Sequence, residues 1–285
     1  MINILVTGGN GQLATCIKDL ESTYSDLNFI YANSAQLNIA DFDAVQDFFS
    51  TTNIQYCINC AAYTAVDKAE SDQEKAEEVN VLGSKNLAIA CAENNVTLIQ
   101  VSTDFVFNGE KSVAYTETDT TNPTGVYGET KLKGELEVAK NLEQHFIVRT
   151  SWLYSENGNN FMKTMIKLSE GRELLTIVAD QIGTPTYATD LAETIIKIIT
   201  TNNTQYGIYH YSNEGVASWY DFAKAIFEES NIKIKVLPIP SKAYPTPAKR
   251  PHFSVLDKTK IKTNLQMEIP YWRDSLKKAL AKSYE

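Results

Sequence analysis

The amino-acid sequence predicts an α/β protein: a doubly wound, Rossmann-type parallel sheet with a smaller C-terminal lobe beside it. Three observations carry that expectation. An apolar strand over residues 3–7 runs straight into the glycine turn Gly8-Gly9-Asn10-Gly11. Strand-like and helix-like periodicities then alternate through the first 154 residues, the pattern of right-handed β-α-β crossovers. Beyond about residue 155 the alternation loosens, and prolines gather at 238, 240, 245, 247 and 251.

The elements follow in order. A helix is expected over residues 12–20 and a second strand over 28–32. Asp41 opens a helix whose apolar residues recur at helical intervals as far as Phe49. Residues 55–60 form a third strand. A long helix over 73–94 presents Val79, Leu82, Leu87 and Ala90 as its core face. Residues 97–102 form the fourth strand and 127–141 the next helix, and another strand lies within 145–154. In the second half, a polar turn at 180–185 precedes a helix over 189–200. Ser218-Trp219-Tyr220-Asp221 has the form of a capping box, with Asp in place of Glu, opening a helix to about residue 230. Residues 238–251 read as a proline-rich loop and 274–283 as a final helix. The division expected is a dinucleotide-binding domain over 1–154, to which about 180–212 return, and a substrate-binding lobe mainly over 155–285.

The chain has 285 residues and a net charge of −9. A general affinity for nucleic acid or anionic membrane needs a basic excess, which is missing. No apolar run approaches the roughly 20 residues of a membrane helix. The first strand enters its glycine turn with no basic segment or cleavage site before it, so a cytoplasmic address is expected. Cys16, Cys57, Cys60 and Cys91 are expected to be reduced, buried and structural. Cys57-x-x-Cys60 lies in a strand pattern, whereas redox pairs usually open a helix, and no second pair stands at zinc spacing.

The chemistry is expected where strands end, because ligands of such sheets bind outside the carboxyl ends. Gly8 and Gly11 let backbone N–H groups approach a diphosphate at a helix N-terminus, and Ala14 permits close packing of helix on strand. The end of the second strand carries Ala32-Asn33-Ser34 with no carboxylate. NADPH is therefore permitted, with Asn33 and Ser34 as donors to a 2′-phosphate, and NADH is possible. Tyr127 and Lys131 share one face of a helix. A neighbouring ammonium is expected to lower the phenol pKa and make Tyr127 a proton donor, with Lys131 also reaching the nicotinamide ribose. Thr103, at a strand end, is placed to bond a substrate carbonyl and the phenol. Tyr220 and Lys224 repeat the spacing without that context and are expected to be inert.

These segments together resemble the extended short-chain dehydrogenase/reductase family. The residues that carry the likeness are Thr7 through Leu13, Asn59-Cys60-Ala61-Ala62-Tyr63-Thr64-Ala65-Val66-Asp67-Lys68-Ala69-Glu70 and Ser102-Thr103-Asp104-Phe105-Val106-Phe107. Val126 through Lys131, Arg149-Thr150-Ser151-Trp152-Leu153-Tyr154, Asn159-Asn160-Phe161 and Pro245 through Pro251 add to it. The resemblance implies reduction of the C4 ketone of dTDP-4-dehydro-β-L-rhamnose to dTDP-β-L-rhamnose. Tyr127 would be the proton donor, with Lys131 and Thr103 assisting. It further implies cofactor contacts at Gly11, Gln12, Leu13, Asn38, Ile39, Ala62, Tyr63 and Thr64, and substrate contacts at Asp104 and Trp152. Arg250 is expected to meet the diphosphate, on charge as well as likeness.

Two departures stand out. Asn38 replaces a frequent Asp, so an amide would face the adenine. Cys16 stands where some members carry a Glu that holds magnesium at a dimer contact. A thiol is a poor magnesium ligand, so no metal is expected by that route, and the chain is expected to be a monomer or homodimer. The alternatives are a reductase of another dTDP-4-dehydro-6-deoxysugar and a non-catalytic NADP-binding regulatory subunit.

Overall fold

In the computed structural model, which describes residues 1–283, the glycine turn and its flanking elements set the frame. The chain runs β1 (Ile2–Thr7), α1 (Gln12–Leu20), β2 (Leu27–Ala32), α2 (Phe42–Thr51) and β3 (Tyr56–Asn59). Next come α3 (Val66–Ala69), α4 (Gln73–Glu77), α5 (Gly83–Glu93), β4 (Thr97–Thr103), α6 (Val126–Asn141) and β5 (His145–Thr150). The second half holds β6 (Leu153–Tyr154), α7 (Phe161–Ser169), β7 (Leu174–Val178), β8 (Ile182–Gly183), β9 (Thr186–Tyr187), α8 (Ala188–Thr200) and β10 (Gly207–His210). It closes with β11 (Ala217–Ser218), α9 (Trp219–Glu229), β12 (Lys235–Ile239), α10 (Thr259–Leu265) and α11 (Trp272–Ser283). Among the described residues no helix is long and apolar enough to cross a membrane.

The central sheet has the order β10-β5-β4-β3-β1-β2, every pairing parallel. Its inner strands are apolar on both sides, as a sheet covered on two faces requires. Ile4, Val6, Ile58, Ile99 and Val148 face a layer that includes Ile17 of α1 and Leu191, Ile195 and Ile199 of α8. Leu5, Cys57, Leu98 and Ile147 face the other layer, with Val45 of α2, Leu87 of α5 and Val138 of α6. The order of strands reverses beside β1, and the loops after β1, β3, β4 and β5 open on one crevice.

A separate apolar cluster joins α7, α9, α11 and the small sheets, with Met162, Phe222, Ile226 and Leu276 at its centre. Here the expectations need correction. Residues 238 and 239 are not loop: β12 pairs in parallel with β7. Pro238 is tolerated because this two-stranded sheet leaves β12 an edge, where a missing N–H costs no ladder bond.

The long helix expected over 73–94 is also not uniform. Residues Glu78–Leu82 form a π turn between α4 and α5. The extra residue rotates the helix face, so Asn80 turns inward to 2% exposure while Leu82, expected in the core, is 43% exposed. Leu87 and Ala90 are buried as expected.

Candidate active site

The phosphate-binding end is built from backbone. Gly8 has φ +64°, and a Cβ there would stand 2.8–2.9 Å from the backbone of Ala61. Only glycine lets the β1 and β3 loops approach this closely. Gly11 is the N-cap of α1 and has no side chain to cap it, and no acidic residue occupies the first turn. The N–H groups at that helix start are left for an anion. This cradle fits the diphosphate of a dinucleotide.

The other expected cofactor positions surround it unevenly. Gln12 is held by Asn160, whose Nδ2 donates to Gln12 Oε1 at 2.8 Å. The side chains of Leu13 and Ile39 are buried in the core, which leaves only their backbones for a cofactor contact. Asn33 uses its Oδ1 to accept the N–H groups of Ala35 and Gln36, which leaves its Nδ2 as the available donor. Ser34 and Asn38 are exposed, and Asn38 Oδ1 accepts the Ala40 N–H at 3.2 Å. Ala62, Tyr63 and Thr64 follow β3. Tyr63 is fixed at both ends, its N–H on Asn80 Oδ1 at 2.9 Å and its hydroxyl on Asp72 at 3.0 Å.

Tyr127, Lys131, Thr103 and Asp104 come together over the end of β4. The phenol of half-buried Tyr127 meets the Thr103 hydroxyl, and its ring lies edge-on to Phe105 at 5.6 Å. Gly128 permits this, since a Cβ there would collide with the Phe105 carbonyl. The electrostatics differ from the sequence expectation. Desolvation pushes the Tyr127 pKa up to about 12, with Thr103 opposing and the Asp104 charge adding to the rise. Desolvation sets the direction despite the nearby Lys131, whose Nζ donates to the Val101 carbonyl at 2.7 Å. Burial in turn pushes Lys131 down to about 8, with Glu135 opposing.

Asp104 is 1% exposed; its Oδ1 accepts from Thr103, Ser254 lies beside the carboxylate, and Oδ2 completes no hydrogen bond among the described residues. Burial raises its pKa to about 6. A buried carboxylate oxygen without a donor is costly unless a ligand supplies one. A sugar hydroxyl would do so.

Beneath this group lies a polar floor that sequence reading missed. Thr7 donates to Asn59 Oδ1 at 2.6 Å, Asn59 Nδ2 donates to Gln100 Oε1 at 2.8 Å, and Gln100 Nε2 reaches the Val101 carbonyl at 3.3 Å. These bonds lock the ends of β1, β3 and β4 together and fix the carbonyl that receives Lys131. One turn beyond Lys131, Glu135 accepts from Ser102 at 2.5 Å and forms a two-pronged pair with Arg149, the shorter contact being 2.6 Å. Both partners are 3% exposed. His210 abuts Arg149, and burial keeps it neutral by pushing its pKa down to about 3. Asn80, from the π turn, bonds the Tyr63 backbone and Thr130 of α6. The available signals were polar residues inside apolar strands and helices.

The far wall comes from the second half. Trp152 follows β5 with φ +47°, which is rare for a bulky residue and marks stored strain. Its indole stacks on Trp219 at 3.6 Å and 9°. Arg250 is not free as expected for a diphosphate ligand. Its guanidinium grips Asp67 at 2.7 and 3.1 Å and donates to Thr246 Oγ1 and the Ala248 carbonyl. Asp67, one of the Ala-Val-Asp-Lys-Ala-Glu residues, thus straps the proline loop across the crevice, and Glu70 of the same segment accepts the Val126 N–H at the start of α6.

Elsewhere, all four cysteines are free; Cys16, Cys57 and Cys91 are buried, whereas Cys60 is half-buried near Lys131 rather than buried as expected. Burial raises its thiol far above the ordinary range. Tyr220 is half-buried against the lobe core and Lys224 is exposed.

Comparison with known proteins agrees with this geometry. The family model described as the RmlD substrate binding domain matches residues 2–285. The dTDP-4-dehydrorhamnose reductase of Aggregatibacter actinomycetemcomitans is 41% identical, over 97% of this chain and 98% of its own. The crystal structure of a dTDP-4-dehydrorhamnose reductase from Clostridium acetobutylicum superposes with a TM-score of 0.95 at 41% identity, covering 100% of both chains. That of Bacillus anthracis, solved in complex with NADP, gives 0.95 at 37% identity over 99% of this chain and 100% of its own.

Proposed function

Because the chain belongs to the RmlD substrate binding domain family, we propose that it reduces the C4 ketone of dTDP-4-dehydro-β-L-rhamnose to dTDP-β-L-rhamnose with NADPH. The observation that carries the proton-transfer part of this reading is the Tyr127 phenol held against Thr103 at the carboxyl end of β4.

Bound NADPH supplies the hydride. The protein's own groups do the rest. The Gly8–Gly11 turn and the start of α1 hold the diphosphate, and Asn33 and Ser34 are placed for the 2′-phosphate. The Thr103 hydroxyl, whose one proton rests on Asp104 Oδ1, turns from it to donate to the C4 oxygen and orients it. Tyr127, whose pKa of about 12 keeps it protonated at neutral pH, rests in the donating form. As C4 is reduced its oxygen becomes an alkoxide, a stronger base than a phenolate, and takes the phenol proton. The new C4 hydroxyl donates back to the phenolate left behind, and the Thr103 hydroxyl, released from the C4 oxygen, can turn to it as well. Lys131 keeps a positive charge beside the ribose hydroxyls below about pH 8. Asp104 Oδ2 accepts from the sugar, Trp152 walls it, and Arg250, tied to Asp67, Thr246 and Ala248 through Nη1 and Nη2, keeps Nε to offer the diphosphate.

The test is NADPH oxidation with dTDP-4-dehydrorhamnose, read by product NMR. The expected product is dTDP-rhamnose. No turnover by a protein that binds both ligands would sink the reading, and the opposite C4 configuration would transfer it to another dTDP-4-dehydro-6-deoxysugar. A small-molecule dTDP-sugar is the partner assigned, and the cytoplasm, where NADPH is supplied, is the place. Cell fractionation checks the latter.

A further inference from the structure

Trp219 lies at the start of α9, outside the Rossmann elements and outside the residues assigned so far, yet its ring is the closest aromatic neighbour of Trp152. The two indoles stack nearly parallel, their centroids 3.6 Å apart and their planes 9° from each other. Phe161 of α7 packs on Trp219 at 4.7 Å, so the second indole is itself buttressed. Opposing them is Gly183 of β8, where a Cβ would come within 2.7–2.9 Å of the Trp152 indole. β8 pairs antiparallel with β11, and β11 leads directly into Trp219. One two-stranded sheet therefore supplies both the notch that admits the indole and the ring that covers it.

The backbone of Trp152 is fixed as firmly. Its carbonyl accepts the Thr186 N–H at 3.2 Å, and the preceding Ser151 hydroxyl donates to the Thr184 carbonyl at 2.8 Å. A left-handed tryptophan costs free energy and persists only where its surroundings over-determine it. These surroundings are aromatic stacking on one side, a side-chain-free Cα on another and two backbone anchors. The product is a half-buried indole whose rotamer cannot relax.

We propose that Trp219 is a positioning residue of the sugar subsite: stacked on Trp152, it fixes the indole wall against which the sugar ring of the nucleotide sugar packs. The inference rests on the reading of the protein as a dTDP-sugar reductase. It differs from it in assigning sugar affinity to a residue that acts through another. The proton donor and the cofactor cradle belong to other elements, so Trp219 should influence the sugar contribution to binding and leave NADPH binding alone.

The experiment compares wild type with Trp219→Ala, Trp219→Phe and Trp152→Phe. Aromatic pairs contribute on the order of 1 kcal/mol beyond their buried area, so Trp219→Ala is expected to weaken dTDP-rhamnose binding and raise KM about fivefold. Affinity for dTDP without a sugar, affinity for NADPH and kcat should each stay within about threefold. Trp219→Phe should recover most of the loss. Circular dichroism supplies a readout independent of turnover: stacked indoles couple their transitions, and Trp219→Phe and Trp152→Phe should each abolish the same couplet.

Unchanged dTDP-rhamnose affinity in Trp219→Ala, or an equal loss for dTDP and dTDP-rhamnose, would overturn the proposal while leaving the reductase reading intact. A parallel collapse of NADPH affinity in both Trp219 variants would mean a general structural role and would overturn it too. Wild-type protein that binds dTDP-rhamnose no better than dTDP would instead remove the substrate reading itself, and this inference with it.

Discussion

Helices α6 and α9 carry the same pair at the same spacing, Tyr127 with Lys131 and Tyr220 with Lys224, and the fold makes them different objects. In α6 the lysine is 5% exposed and bonded to a strand carbonyl, the phenol meets a strand-end hydroxyl, and a buried carboxylate lies next to both. In α9 the lysine is exposed and the tyrosine packs on the lobe's apolar cluster. Spacing is a property of the helix. Reactivity is a property of what the helix is pressed against. Desolvation drives the α6 groups apart in pKa, Tyr127 up to about 12 and Lys131 down to about 8, because it disfavours the charged form of each.

The largest effect should come from removing the phenol. Tyr127→Phe is expected to lower kcat by about 10²–10⁴, the usual worth of a positioned proton donor, with NADPH affinity unchanged. Tyr220→Phe should leave kcat within about twofold of wild type. Steady-state rates and fluorescence titration of NADPH check both. Equal losses in the two variants would erase the distinction between the helices.

Next in size is the ion pair that anchors α6. Removing one partner of a buried pair leaves an uncompensated charge, so Arg149→Ala or Glu135→Ala should destabilise by about 3–5 kcal/mol in urea unfolding. Lys224→Ala, on the exposed face of α9, should change stability by no more than about 0.5 kcal/mol. Arg149 and Glu135 are buried side by side, and their coupling can be read from the double variant.

The pH dependence sharpens the contrast further. The Lys131 pKa falls from the ordinary 10.5 to about 8, so the ammonium is present below that pH and lost above it. The kcat/KM of the free enzyme should therefore fall as pH rises through about 8, approaching about tenfold per unit. Lys131→Arg should carry that limb upward, because a guanidinium stays charged. Lys224→Ala should leave the profile where it is. An alkaline limb unmoved by Lys131→Arg would detach it from this residue.

How much of this could be read from sequence follows the same line. The sheet, the glycine turn and the Thr103–Tyr127–Lys131 order were legible, because strand-end position and helix spacing are local patterns repeated in a fixed topology. The π turn at Glu78–Leu82 was not, since a periodicity argument assumes constant rotation per residue. That assumption put Leu82 in the core and overlooked Asn80. The pairing of Glu135 with Arg149 was not read, because the two lie on different elements that only the fold brings together. Arg250 was legible as a cation near the crevice, but its partner Asp67 lies 183 residues away. The sign of the Tyr127 shift failed for a related reason: spacing says that an ammonium is near, not how far the fold desolvates the phenol.

The two helix starts give the finest test of the comparison. α9 is capped by its own residues, Ser218 and Asp221 exchanging side-chain and backbone bonds. α6 has glycine at its N-cap and borrows a carboxylate from a different element, Glu70 accepting the Val126 N–H at 2.9 Å. Losing either cap should cost about 1 kcal/mol of stability. The consequences for turnover should diverge. Glu70 holds the residue immediately before Tyr127, so Glu70→Ala should loosen the phenol against Thr103 and lower kcat by about threefold to tenfold. Ser218→Ala frays a helix whose tyrosine has no proton to deliver, and kcat should stay within about twofold. Thermal unfolding with parallel kinetics decides it. Equal stability losses with unequal kcat losses mean that the borrowed cap serves the site, whereas equal losses in both would make it merely a cap.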